Sequence, residues 1–317
     1  MGTTFILGAG FSAAQGFPLV RGLKQLVITF IKNELHPNYE ACLTPGRDFK
    51  VGEFDDGLNH VDPTGTLGFE EVLIELRKAL EHASSLDPCH RTDSALKAGC
   101  ARLLWHKHES LHKLSSCYGA FAQRYFKETR ENAVISFNWD VLLERSLSEA
   151  SVPWLYRVYG GVVPVLKPHG SINWSSFLNT SSSCDYSGWA RIAPGSNISW
   201  DEVRPLQDPD PQEINPDLRS MLYPGDPEVS RDNPDLGLIW SDVKRVLRER
   251  QSIVFIGYSL PEYDSYATQV FREFAATKDV SVYNPSPEAR GRFRSELGDK
   301  VHLCPQTFEQ SPYGRGA

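Results

Sequence analysis

Short apolar segments that end in glycine or polar turns constrain the fold of this chain most strongly. Residues 3–7 are β-branched, aromatic or apolar, and they run directly into a turn with two glycines. Similar segments cover residues 133–137, 252–256 and 280–283, and stretches with helical spacing lie between them. Short apolar runs bounded by turns are typical of buried strands. Strands that alternate with helices predict an α/β fold, a Rossmann-like parallel sheet with helices on both faces.

The distances between these strands predict one domain whose sheet is interrupted twice. A chain of 317 residues is long enough for one large domain. Residues 69–128 show apolar side chains at helical spacing, whereas residues 36–66 lack periodicity and predict loops. We predict a single domain, 1–317, whose Rossmann-like core consists of residues 1–35, 129–175 and 236–317. Residues 36–128 form a mostly helical insertion in this core, and residues 176–235 form a loop-rich insertion.

Polar residues at the predicted strand ends indicate a ligand site. In parallel α/β sheets, ligands bind beyond the carboxyl ends of the strands. Four of these ends carry glycines or polar side chains, namely Gly8-Ala9-Gly10, Asn138-Trp139-Asp140, Gly257-Tyr258-Ser259 and Asn284. Their convergence predicts a nucleotide site at this edge of the sheet.

The glycine turn Gly8-x-Gly10-x-x-Ala13 follows a predicted strand and precedes a helix. Glycines there let backbone N–H groups approach a pyrophosphate, although a tight turn without a ligand explains the pattern equally well. A redox Rossmann unit would place an acidic residue about 20 positions later to bind the ribose. Residues 24–30 are helical and carry no suitable acid, so this turn does not belong to an ordinary dehydrogenase.

Two further segments carry side chains that could take part in a reaction. Asp140 follows a strand and precedes a helix, where a helix-capping role explains it, but capping does not explain Asn138 directly at the strand end. His169 lies between a proline and a glycine, which holds a loop histidine in place. A histidine with a purely structural hydrogen bond is the commoner case for a lone histidine.

Four segments together resemble the sirtuin-like NAD-binding domains, above all a divergent bacterial branch that acts in anti-phage defence. They are GAGFS at 8–12, SFNWD at 136–140, KPHGSINW at 167–174, and IGYSLP at 256–261 with Asp264. The segments occur in the family's order and span the sheet but neither insertion.

The resemblance implies an enzyme that hydrolyses NAD to nicotinamide and ADP-ribose. It makes His169 the catalytic base and places Asn138 and Asp140 on the nicotinamide side, with Asn138 orienting the attacking water. The phosphate and ribose cradle would be Gly8, Ala9, Gly10 and Ser12, and the adenosine half would be held by Gly257, Ser259 and Asn284.

The chain departs from protein-deacylating sirtuins in two respects. It has no zinc ribbon, and residues 16–21 read GFPLVR where deacylases carry an acidic-Phe-Arg element. Both departures disfavour peptide deacylation, and the resemblance implies that the branch that hydrolyses NAD lacks the ribbon too. Nicotinamide leaves as a neutral molecule, so the reaction needs no carboxylic acid to protonate the leaving group, unlike glycoside hydrolysis. A histidine with an ordinary pKa of about 6.5 can accept the proton near neutrality.

Two other functions remain open at this level. His108-Glu109-x-x-His112 is an H-E-x-x-H sequence on a predicted helix, which is the zinc-binding pattern of metalloproteases. No third ligand follows it at the metzincin spacing, so we expect no bound metal. The third possibility is a non-catalytic sensor of NAD or ADP-ribose, in which the pairing of Asn138 with His169 would have no purpose.

Composition and charge predict the partners and the cellular location of the chain. The net charge of −7 disfavours a nucleic-acid partner. No run of eighteen apolar residues and no signal peptide is visible, so we expect no membrane association. The six cysteines are scattered without a C-x-x-C pair, which predicts free thiols and a cytoplasmic location.

The apolar helical pattern at 69–128 and the resemblance to defence effectors together predict a homo-oligomer or a regulatory partner protein. The alternative is that this apolar face packs on the sheet. The sequence leaves open the activating trigger and whether hydrolysis or cyclisation follows nicotinamide release.

Overall fold

Seven parallel strands form one sheet in the order β3-β4-β2-β1-β7-β8-β9, and β5 and β6 form a separate antiparallel pair. The computed structural model describes residues 2–35, 51–80, 88–128, 131–158, 160–177, 218–222 and 234–315. The strands are β1 Thr3–Leu7, β2 Ala133–Ser136, β3 Trp154–Leu155, β4 Val163–Leu166, β5 Gly170–Phe177, β6 Leu218–Leu222, β7 Ser252–Ile256, β8 Asp279–Tyr283 and β9 His302–Cys304. The predicted parallel α/β sheet is confirmed.

Helices connect the strands of the sheet. They are α1 Ala9–Ser12, α2 Val20–Phe30, α3 Val51–Val61, α4 Phe69–Leu80, α5 Pro88–Glu109, α6 Ser116–Ala122, α7 Leu142–Glu149, α8 Pro234–Glu249, α9 Ser265–Ala275 and α10 Pro287–Leu297. A 3₁₀ turn at Ala13–Gln15 follows α1, and π-helical turns at Ile31–Leu35 and Gln123–Lys127 extend α2 and α6. Of the helices in the described ranges, none combines the length and hydrophobicity that crossing a membrane requires.

Neighbouring residues of β1 show that helices cover both faces of the sheet. The Phe5 ring packs edge-on against Phe121 of α6, with the ring centroids 5.2 Å apart. The Thr4 hydroxyl faces the other way and donates to the Val246 carbonyl of α8 at 3.3 Å. Successive side chains of a strand point to opposite faces, so α6 and α8 lie on opposite sides of the sheet.

The strand order places a topological switch point between β1 and β7. The chain moves from β1 to β2 and β4 on one side, and from β7 to β8 and β9 on the other. Leu7 is in register with Ser136 of β2 and with Ile256 of β7, so these three strands end at the same level. A switch point of this kind opens a crevice at the carboxyl ends, where open α/β sheets bind their ligands.

The prediction of loops throughout residues 36–66 is wrong for α3. Residues 51–61 are helical, with Phe54 fully buried. Gly57 lies close to Thr92 of α5, whose hydroxyl donates to the Phe54 carbonyl at 3.2 Å. Packing on α5 therefore stabilises a segment whose two glycines and three acids give it weak helical preference of its own.

The predicted loops at 176–235 need a similar correction, because β6 lies within them. Residues 218–222 pair with β5 in an antiparallel arrangement. The remainder of that prediction, residues 178–217 and 223–233, lies outside the described residues.

The apolar residues of the segment 69–128 lie inside the protein. Leu104, Leu114 and Phe121 are buried. Leu103, Leu111 and Tyr125 are partly buried and pack against the core. These side chains therefore pack within the chain, and for Phe121 the packing is on Phe5 of the sheet, as the alternative interpretation expects.

Candidate functional site

Asn138 joins the ends of β1 and β2. Its side-chain Nδ2 donates to the Gly8 carbonyl at 3.0 Å and to the Ser12 hydroxyl oxygen at 3.1 Å. A carbonyl oxygen can only accept, so the Gly8 contact identifies which atom of the amide is nitrogen. Both Asn138 and Ser12 are buried. The predicted cradle residue Ser12 and the predicted catalytic residue Asn138 are thus in direct contact.

Asp140 lies beside this pair and also supports the next helix. Its Oδ1 accepts the backbone N–H of Leu142, the first residue of α7, at 3.0 Å, although the N-cap position of that helix is Val141. Burial raises the pKa of Asp140 above its ordinary value, while Lys167, the Leu142 amide and a hydrogen bond with Ser12 oppose the rise. Asp140 therefore belongs to the same polar cluster as Ser12 and Asn138.

Lys167 is completely buried beneath this cluster. Its Nζ donates to the Asp140 carbonyl at 2.6 Å and forms an ion pair with Glu144 at 3.0 Å. Glu144 also accepts the Tyr156 hydroxyl at 3.2 Å. The two charges satisfy each other, which a buried ion pair requires. Lys167 therefore ties the turn after β2 to the turn that carries His169.

His169 faces a carboxylate from the other half of the sheet. Its Nε2 lies 3.0 Å from Asp264 Oδ1, and both side chains are at most 2% exposed. The contact is an ion pair when the imidazole is protonated. The imidazole Nδ1 has no hydrogen-bond partner among the described residues. The edge of Phe137 packs against the ring, with centroids 4.8 Å apart.

Two further contacts hold this pair in place. The Tyr258 hydroxyl donates to Asp264 Oδ2 at 2.5 Å. The Trp139 indole N–H donates to the His169 carbonyl at 2.9 Å. The Tyr258 ring stacks on Phe137 at 4.5 Å. His169 and Asp264 are thus fixed by residues from two strand ends, those of β2 and β7.

A second carboxyl group, that of Glu70 in α4, is also buried, and its charge acts on the pKa of His169. Burial lowers the pKa of His169, but the charges of Asp264 and Glu70 outweigh it, so that the pKa lies above its ordinary value of 6.5. Burial raises the pKa of Glu70 to about 7, opposed by His169 and by a hydrogen bond from Tyr263. The three groups form one electrostatic unit in which protonation of one affects the others.

The glycine turn packs directly against the turn after β7. The N–H of Gly10 donates to the Gly257 carbonyl at 3.0 Å, and the N–H of Gly8 donates to the Ile256 carbonyl at 3.1 Å. A Cβ on Gly10 would lie 2.7 Å from the Gly257 Cα, and Gly257 itself has a positive φ of 64°. Close backbone approach therefore explains these glycines, and the two N–H groups are already bonded within the protein.

The residues predicted for the adenosine half lie together at the ends of β7 and β8. Asn284 Nδ2 donates to the Tyr258 carbonyl at 2.8 Å, and its Oδ1 accepts the Ser286 N–H at 2.9 Å. The Ser259 carbonyl accepts two hydrogen bonds from Arg292, at 3.0 and 3.1 Å. Asn284 and Arg292 thus shape this end of the site through backbone contacts.

Sequence reasoning missed several residues of this site. Asp264 was part of a matched segment but had no assigned role, although its place after the β7 turn was a usable signal. The burial of Lys167 directly after an apolar strand was a weaker signal. Glu70 gave no local signal, because it follows Phe69 in an ordinary amphipathic helix and is buried only by the tertiary fold.

The H-E-x-x-H sequence does not form a pair of ligands in this structure. Helix α5 ends at Glu109, so the exposed His112 lies beyond it. The Val141 N–H donates to His108 Nε2 at 3.0 Å, which occupies one of the two ring nitrogens that could bind a metal. Burial lowers the pKa of His108 to about 3. Within the described ranges, no three His, Cys, Asp or Glu side chains group as a metal site.

No protein-family model and no curated protein matches this chain. Among solved structures, it is similar to a mutant Sir2 homologue in complex with ADP-ribose, at 16% identity and a TM-score of 0.46, over 99% of this chain and 91% of that one. It is similar to a structure titled for the mechanism and regulation of Sir2 enzymes, at 14% identity and a TM-score of 0.43, over 99% and 88% of the chains. A Sir2 structure with a peptide and NAD⁺ is 15% identical, with a TM-score of 0.41, over 96% and 88%.

Proposed function

We propose that this chain is an NAD glycohydrolase that cleaves NAD⁺ to nicotinamide and ADP-ribose. One observation carries the proposal. A buried His169, paired through Nε2 with Asp264 and with its Nδ1 unpartnered among the described residues, lies at the same sheet edge as the Ser12–Asn138 pair.

The histidine pair has the arrangement of a general base. A carboxylate beside one imidazole nitrogen orients the ring and stabilises the cation that forms when the other nitrogen takes up a proton. In this chain Asp264 faces Nε2, so Nδ1 is the nitrogen left to accept a proton from water or from a ribose hydroxyl. A general base must start the reaction unprotonated. The pKa of His169 is raised, so its unprotonated fraction, and with it the rate, should increase as the pH rises through that pKa.

Asn138 supports the other half of the reaction. Its two donated hydrogen bonds fix the amide, so Oδ1 faces away from Gly8 and Ser12. In that orientation the oxygen can accept a hydrogen bond from the attacking water. Nicotinamide leaves NAD⁺ as a neutral molecule, so the reaction needs no proton donor at the position of this amide.

The side chains at the strand ends support dinucleotide binding more than the backbone N–H groups of the glycine turn do. The N–H groups of Gly8 and Gly10 are bonded to carbonyls of the β7 turn, and the Phe11 N–H is bonded to the Gly8 carbonyl at 2.8 Å. A pyrophosphate that used these donors would require the turn to exchange partners. Asn138, Asp140 and His169 are also all buried, so a substrate reaches them only after side chains move.

We extend the proposal to the biological role. The resemblance of the four segments supports an NAD-depleting effector of bacterial anti-phage defence that acts in the cytoplasm. Closed access to His169 supports control of the hydrolase by a homo-oligomer or a partner protein, because an effector that consumes NAD must be silent at rest.

The test is to incubate the purified chain with NAD⁺ and follow nicotinamide release. His169→Ala and Asn138→Ala should each abolish release while the circular dichroism spectrum stays that of the wild type. His112→Ala is the matched control, because His112 is an exposed histidine outside the site. Equal rates in His169→Ala and the wild type would refute the assignment. Tight NAD⁺ binding without nicotinamide release would identify a sensor instead.

A further inference from the structure

The turn after β7 contains two residues with a left-handed backbone conformation. Gly257 has a φ of 64° and Leu260 a φ of 50°. Glycine adopts this conformation without strain, whereas the Cβ of a leucine disfavours it. Leu260 is also buried, with 2% of its surface exposed. A residue in this conformation persists only when the surrounding structure holds it there.

Arg292 of α10 holds this turn. Its Nε donates to the Ser259 carbonyl and to the Leu260 carbonyl, both at 3.1 Å, and its Nη2 donates to the Ser259 carbonyl at 3.0 Å. The next residue, Phe293, is fully buried and packs on Phe255 of β7, with ring centroids 4.7 Å apart. A planar guanidinium presents its donors in fixed directions, so a helix anchored on β7 fixes both peptide groups.

Three consecutive carbonyls of the turn are therefore bonded to side chains. Asn284 Nδ2 donates to the Tyr258 carbonyl at 2.8 Å, and Arg292 binds the next two carbonyls. In a trans peptide the N–H points opposite to the C=O, so the N–H groups of Ser259 and Leu260 point away from Asn284 and Arg292. Neither N–H forms a hydrogen bond within the described ranges. The turn thus keeps two neighbouring donors available to a ligand.

We propose that Arg292 is a positioning residue for dinucleotide binding, which holds the Ser259 and Leu260 carbonyls and so keeps the turn in the conformation that binds the adenosine half of NAD⁺. This role rests on the proposed function, in which Ser259 holds that half. Arg292 contacts the end of β7, whereas the base His169 follows β4. Loss of Arg292 should therefore weaken substrate binding and leave the chemical step unchanged, which appears as a higher KM at constant kcat.

The test is to measure kcat and KM for nicotinamide release with the full chain. Arg292→Ala should raise the KM for NAD⁺ about tenfold, the effect of losing one hydrogen bond in the site, with kcat unchanged. Arg294→Ala is the matched control, because Arg294 lies exposed on the same helix and its nearest carboxylate, Asp299, is 3.8 Å away. This control should keep the wild-type KM. A wild-type KM in folded Arg292→Ala, or a lower kcat at an unchanged KM, overturns the proposal.

Arg292→Lys separates positioning from charge and keeps the test open if Arg292→Ala does not fold. Lysine retains the positive charge but not the planar arrangement of donors. The KM of this variant should therefore also rise, by less than in Arg292→Ala. A wild-type KM in Arg292→Lys would mean that the charge alone is sufficient, which overturns the positioning role.

Calorimetric titration with ADP-ribose needs no turnover and separates this proposal from the hydrolase. Weaker ADP-ribose binding by Arg292→Ala, in a protein that releases no nicotinamide, supports the role of Arg292 and overturns the hydrolase. Nicotinamide release together with equal ADP-ribose affinity in Arg292→Ala and the wild type overturns the role of Arg292 alone. A wild type that binds neither NAD⁺ nor ADP-ribose overturns both.

Discussion

His169 Nε2 lies 3.0 Å from Asp264 Oδ1, and this contact joins the turn after β4 to the start of α9 across the centre of the sheet. The two residues are 95 positions apart in the chain, and each is buried. Neither charge is stable there alone, because an isolated buried ion is costly. The contact therefore constrains both the packing of the sheet edge and the protonation of the histidine.

Asp264→Asn should reduce nicotinamide release by roughly 10²–10⁴-fold, the usual contribution of a general base. The amide keeps the size of the side chain but removes the charge that orients the imidazole and raises its pKa. Steady-state rates on the purified variant measure the effect. Asp279→Asn makes the same change at an exposed residue of β8 and should leave the rate unaltered. Equal rates for Asp264→Asn and the wild type would show that the pair has no catalytic role.

The stability of the protein should fall as pH rises through the neutral range because of Glu70 and His169. Both pKa values are raised in the fold, so the folded state binds protons more tightly than the unfolded chain. Glu70 contributes its full stabilisation of the fold below pH 4.5 and loses it as the pH rises through about 7. His169 contributes its full stabilisation below pH 6.5 and loses it as the pH rises through its raised pKa.

Glu70→Gln should therefore lose less free energy of unfolding than the wild type between pH 4.5 and 7. Urea unfolding at several pH values across this window measures the difference. Parallel curves for the two proteins would mean that Glu70 titrates in the fold as it does in the unfolded chain.

The close approach of the glycine turn to Gly257 should make Gly10→Ala destabilising, by about 1–3 kcal/mol for an overpacked site. The new methyl group would press on the Gly257 backbone. Gly22→Ala in α2 is the control, since it meets no atom within 4 Å, and it should be neutral or stabilise by up to about 1 kcal/mol. Thermal unfolding of both variants compares them. If Gly10→Ala were as stable as Gly22→Ala, close packing would not be the reason for this glycine.

His108→Ala should destabilise the protein by about 1–3 kcal/mol, because the buried Val141 N–H would lose its acceptor. His112→Ala, at an exposed position, should change stability little. Urea unfolding of the two variants gives the comparison. About one zinc ion per chain in the dialysed wild type, lost in His108→Ala, would instead support the metalloprotease.

The sheet could be predicted because its strands are continuous apolar runs that end at glycine or polar residues. β1 and β7 are examples, since both faces of each are covered and the runs stand out from their surroundings. The edge strands β3 and β9 have only two and three residues, too few to show a pattern. Helix α3 was missed because tertiary packing on α5 outweighs its weak helical preference.

The candidate site could be predicted only in the part that lies on strand ends. Ser12, Asn138 and His169 follow strands, and the order of the sheet brings them to one edge. Glu70 comes from a helix more than 60 residues before Asn138, and no local pattern sets it apart from the exposed Glu71. The burial of Glu70 follows from the tertiary fold, in which α4 packs against Trp139.

The most direct test of the hydrolase is to quantify nicotinamide and ADP-ribose by chromatography after incubation of NAD⁺ with wild-type protein and with His169→Ala. The account predicts that the wild type releases the two products in equal amounts and that His169→Ala releases neither. Unchanged NAD⁺ with the wild type, or product formation at the wild-type rate by His169→Ala, would contradict it.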